Sequence, residues 1–158
     1  MAPIQATDTA ENQIFRQIFS FLLHAVLALL AWAALMAAGY ALNLPQVPQQ
    51  MILVLSLFVP LVAGFAINYF RQDQSASIVW LLGLVWFLII ALWVMDMPTG
   101  PNECFQCDAT DKLSRTFFST PSPSGLIDND GPFIATWPAV ALLGYAIGAR
   151  LALKNTEK

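Results

Sequence analysis

The sequence predicts an all-α integral membrane protein, a single domain built as a four-helix bundle, and three observations carry that prediction. Four apolar segments, at residues 14–42, 51–69, 77–95 and 133–153, each meet the length of ~20 residues that a helix needs to cross a bilayer, the first with residues to spare. Hydrophobic residues make up 58% of the 158-residue chain and charged residues only 11%, against about 25% charged in a soluble domain. The links joining the first three segments are short, whereas residues 96–132 form one long outer loop. Backbone groups in hydrocarbon must be satisfied within the segment, so the four segments are expected to be helices.

The first segment carries no Asp, Glu, Lys or Arg from residue 17 to residue 42. A signal peptide has an apolar stretch of about 7–15 residues behind a basic start. This one is longer and follows Asp8 and Glu11, so a retained helix is expected despite the small-residue site Ala31-Trp32-Ala33. The second segment contains Pro60 and Gly64 and should be kinked. The third is apolar throughout. The fourth has Pro138 in its first turn, where proline costs little, and a Gly144-x-x-x-Gly148 spacing. Small residues four apart let helices approach closely, either within the chain or against a second copy or another membrane protein.

Residues 43–50 (NLPQVPQQ) and 70–76 (FRQDQSA) are short connections that favour antiparallel neighbours. A link as long as 96–132 is usually functional or disordered, and any distinctive role is expected there. Within it, TDKLSRTFF (110–118) reads as a short helix capped by Thr110 or Asp111. Its Leu113 and Phe117 share a face that rests on the membrane surface or on the bundle. STPSPSG (119–125) reads as an extended linker. Asp128-Asn129-Asp130-Gly131 lacks the first ligand and the final Glu of a calcium loop, so it reads as a turn.

Charge sets the expected orientation. Arg16, Arg71, Arg150, Lys154 and Lys158 fall on one side of a four-span topology, while the other side has only Lys112 and Arg115 among its basic residues. Basic residues near helix ends favour the cytoplasm. Both termini are therefore expected inside a plasma or inner membrane, with 96–132 outside. Tyr69 and Trp80 fall near the inner boundary, and Tyr40, Trp93 and Trp137 near the outer one, as amphipathic rings prefer.

Composition also excludes functions. A net charge of −3 and the absence of a basic run argue against nucleic acid as a partner and against a polybasic lipid anchor. The interiors of the four segments contain no Asp, Glu, Lys or Arg, which argues against proton-coupled antiport through a buried carboxylate. His24 is the only histidine and an intramembrane polar candidate. The expectation is a neutral ring bonded across the bundle, to Ser20, Ser56 or Asn68. No catalytic, cofactor or metal residues are predicted.

The chain's two cysteines, Cys104 and Cys107, stand in NECFQCD. Asp108 replaces the histidine of a haem attachment motif, and two ligands fall short of a structural zinc site. An oxidising exterior favours a disulfide, with Glu103 and Asp108 disfavouring a reactive thiolate. Four spans with an outward C-x-x-C are similar in outline to the quinone-linked disulfide-forming membrane enzymes and the vitamin K epoxide reductase group. That resemblance implies thiol–disulfide chemistry through a second cysteine pair. This chain lacks the second pair, and no residue roles are carried over. The expected function is a non-enzymatic accessory or interaction component whose outer loop contacts a partner. The alternatives are thiol–disulfide exchange at Cys104 and Cys107, and passage of a small neutral solute.

Overall fold

The computed structural model describes residues 4–41, 49–96, 108–118 and 135–156. Five α-helices account for nearly all of them: α1 (Ile4–Ala41), α2 (Gln49–Arg71), α3 (Trp80–Asp96), α4 (Ala109–Phe118) and α5 (Thr136–Thr156). A 3₁₀ turn, Gln74–Ile78, leads into α3. No strand occurs among the described residues. α1, α2, α5 and the 3₁₀ turn with α3 are each long and apolar enough to cross a membrane.

The bundle is centred on α5. This helix is the least apolar of the four, yet it is the most buried. Its composition explains the inversion: Ala141, Ala146, Ala149 and Ala152 are buried, and Gly144 and Gly148 lie among them. Small side chains let neighbouring backbones close in, and dispersion contact replaces bulk.

The tightest pairing is α2 with α5. A Cβ atom placed on Gly144 would overlap the Leu57 carbonyl, one on Gly148 the Leu61 carbonyl, and one on Gly64 the Tyr145 carbonyl. Contacts that rise together in residue number show that the two helices run parallel. The short links led to the expectation that sequential neighbours would pair. That holds for α1 with α2, whereas α2 and α3 scarcely touch and α3 packs mainly on α5. Backbone-to-backbone approach at the glycines outweighs connectivity. α2 continues through Pro60, which is buried.

α1 is 38 residues long, about 57 Å at 1.5 Å per residue, and so exceeds a hydrocarbon core of ~30 Å. Residues 12–19 are exposed, and the helix joins the bundle only at Ser20. The helix starts ten residues earlier than the segment expected from residue 14.

α4 begins at Ala109, with the Lys112 amide donating to the Asp108 carbonyl at 3.1 Å. Its start lies before Thr110 and Asp111, the caps expected from sequence. Leu113 and Phe117 face the bundle, and the Phe117 ring sits 4.1 Å from that of Phe87 on α3. Thr136 Oγ1 donates to the Phe117 carbonyl at 2.6 Å. That bond satisfies one of the carbonyls a helix leaves open at its C-terminus and ties α4 to the start of α5.

Candidate functional site

A polar node lies at the end of the bundle where α2 turns into α3. Arg71 ends α2, and Gln72 follows with a φ of 52°, the left-handed conformation that closes many helices. Its amide donates to the Asn68 carbonyl at 2.9 Å. The reversal aims the next residue, Asp73, back at the bundle.

Asp73 is held on several sides. Its amide donates to Asn68 Oδ1 at 2.8 Å. Its Oδ1 accepts from the Ser75 amide at 2.9 Å, capping the 3₁₀ turn. Its Oδ2 accepts from Ser20 Oγ on α1. The buried Asn68 uses its other end to donate to the Ala149 carbonyl of α5 at 3.1 Å. One short turn thus links α1, α2 and α5.

His24 sits one helical turn beyond Ser20 on the same face of α1 and is 1% exposed. Its Nδ1 lies 2.7 Å from the hydroxyl of Tyr145, which α5 buries completely. Its Nε2 lies 3.5 Å from Asp73 Oδ2, too far for a strong hydrogen bond, and has no hydrogen-bond partner. When Tyr145 donates to Nδ1, the proton of the neutral ring is on Nε2 and points toward the carboxylate. When the ring is cationic, both nitrogens donate.

Burial pushes the Asp73 carboxyl up. The hydrogen bonds from Ser20 and Ser75 and the charge of His24 outweigh that, so its pKa lies below the ordinary 3.8. Asp73 is therefore ionised at neutral pH.

Of the partners expected for His24, Ser20 and Asn68 belong to the node, but both act through Asp73. Ser56 is buried on α2 with no hydrogen-bond partner. The interiors of the apolar segments hold no carboxylate, but Asp73, which stands in the link 70–76 outside them, folds back to within 3.5 Å of His24. Tyr145 was also missed. Each left a signal in the sequence: Asp73-Gln74-Ser75 has the spacing of an N-cap, and Tyr145 is a hydroxyl within the Gly144–Gly148 motif. Gly144 and Gly148 face α2 within the chain. Cys104, Cys107 and residues 128–131 lie outside the described residues. Among the described residues, no three His, Cys, Asp or Glu side chains are grouped to hold a metal ion.

Compared with protein-family models, with curated proteins and with solved structures, the chain matches none.

The node's chemistry is that of a carboxylate, an imidazole and a phenol in series, with a hydrogen bond between imidazole and phenol and a 3.5 Å gap between imidazole and carboxylate. Tyr145 has no exposed surface, so its oxygen is not presented to a substrate. What the arrangement can do is fix α1 against the turn and α5, and exchange protons through Asp73, whose side chain is 31% exposed.

Proposed function

We propose that the chain is a small multi-pass membrane protein acting as a non-enzymatic accessory or interaction component, with residues 96–132 as its contact region. The observation that carries the membrane reading is the inverted placement of polarity. His24, Ser56, Asn68 and Tyr145 are buried, while Phe15, Val62, Leu92 and many other large apolar side chains are exposed. Water penalises so large a continuous apolar surface, whereas hydrocarbon does not. The node's end of the bundle holds Arg71, Arg150 and Lys154, which supports a cytoplasmic location for it. The α4 end then faces outward.

The interaction reading is supported by α4. Its apolar face is docked on α3, which leaves Asp108, Thr110 and Ser114 exposed. An anchored helix with a polar outer face is a preformed surface for another protein, and preformed surfaces lose less entropy on binding. Purification of the full chain from its own membrane in mild detergent tests this. The expected result is a stoichiometric partner that is lost with Ser114→Trp while the bundle keeps its thermal stability. A substrate trapped as a mixed disulfide on Cys104 of the Cys107→Ser variant would replace this reading with thiol–disulfide exchange.

A further inference from the structure

α1 makes thin contact with the rest of the chain. Its residues 12–19 are exposed, and its buried positions are His24, Ala25 and Ala28. Its polar contacts with Asp73 and Tyr145 are concentrated at Ser20 and His24, one turn apart. At the centre of this contact, His24 Nε2 is buried, has no hydrogen-bond partner and stops 3.5 Å short of a carboxylate oxygen. A gap of that size at a buried polar atom is where a proton changes the geometry most.

We propose that His24 and Asp73 form a proton-operated latch, in which protonation of the imidazole draws Asp73 onto Nε2 and clamps α1 against the α2–α3 turn and α5. The cationic ring donates from both nitrogens, to Asp73 Oδ2 and to Tyr145 Oη, so that α1 is held by two charge-assisted bonds. Loss of the proton removes the charge-assisted bond to Asp73 and leaves α1 with the neutral bonds of His24 to Tyr145 and of Ser20 to Asp73. The proton comes from water, through the exposed part of the Asp73 side chain.

The charged and titratable groups facing His24 come from three elements. Asp73 on the turn and Arg71 at the end of α2 are the charged ones. Tyr145 on α5 is a neutral phenol that accepts from Nδ1–H. Asp73 is in direct contact, whereas Arg71 is an exposed helix-end side chain screened by solvent. The latch concerns the bundle itself and holds whichever partner the outer loop contacts.

Because His24 is the only histidine, the native full-length chain, carried without a polyhistidine tag, reports on it directly. With ¹⁵N-labelled histidine in lipid nanodiscs, one pair of ring-nitrogen signals is expected to pass from neutral to cationic as the pH is lowered. In Asp73→Asn the change should require more acid, by about one pH unit. Spin labels at the exposed positions Leu22→Cys and Leu151→Cys, with Cys104 and Cys107 replaced by serine, should show one narrow distance at the acidic end and a broader distribution at the basic end. His24→Gln should abolish that dependence. A ring that stays neutral throughout, a titration unchanged by Asp73→Asn, or label distances that ignore pH would each overturn the latch.

Discussion

At Tyr145 a single hydroxyl joins the central helix to α1. Replacing it by phenylalanine keeps the ring, which sits 5.8 Å from that of His24, and removes only the partner of Nδ1. A buried polar atom left unsatisfied costs about 1–3 kcal/mol, and Tyr145→Phe should lower unfolding stability in detergent by that amount. Asp73 gives a second prediction at the same scale. Its pKa is lowered in the folded chain below the ordinary 3.8. The stabilisation it confers is therefore fully present above the unfolded value and is lost as pH falls through the folded value. Thermal unfolding followed below about pH 4 should show this acid limb, and Asp73→Asn should flatten it. An equally steep limb in the variant would assign the acid sensitivity to other carboxylates.

Among the helices, the α2–α5 seam is the most constrained element. The glycines on it meet backbone atoms rather than flexible side chains, so no rotamer change can make room. Gly148→Ala should separate the helices and destabilise the bundle by about 1–3 kcal/mol. Gly39 on α1 is the matched control, because a Cβ there meets nothing within 4 Å. Gly39→Ala should raise stability by up to about 1 kcal/mol through helix propensity alone. Equal effects of the two substitutions on melting temperature would show that the seam is not under tight steric control. α4 shows the same principle on a smaller scale: its polar face is fixed outward because Leu113 and Phe117 already have partners on the bundle.

For the whole molecule, the parallel relation of α2 and α5 depends on α3, which carries the chain back between them. Four alternating spans place the first and third links, the second of these being 96–132, at one end, so that α2 and α5 both start there and run the same way. The proposed orientation puts that region outside the cell. Intact cells treated with an impermeant thiol reagent should label Ser124→Cys and spare Asn155→Cys, in a background with Cys104 and Cys107 replaced by serine. The reverse pattern would invert the topology and remove the oxidising environment from the reasoning about the cysteines.

By itself the sequence determined that the chain is helical, that four segments are long enough to span a bilayer, and that small residues in the last one invite close packing. Those properties follow from length, hydropathy and spacing along one helix, which are local. The positions of Ser20 and His24 on one face were legible for the same reason. Which helices pair was decided only in the tertiary structure, because a Gly144–Gly148 face fits any backbone that can approach it, and α2 supplied Gly64 in register. The node was likewise a tertiary outcome. Asp73 stands in a polar link, Tyr145 in the last helix and His24 in the first. Only the left-handed turn at Gln72 and the burial of α5 bring a carboxylate, an imidazole and a phenol into line.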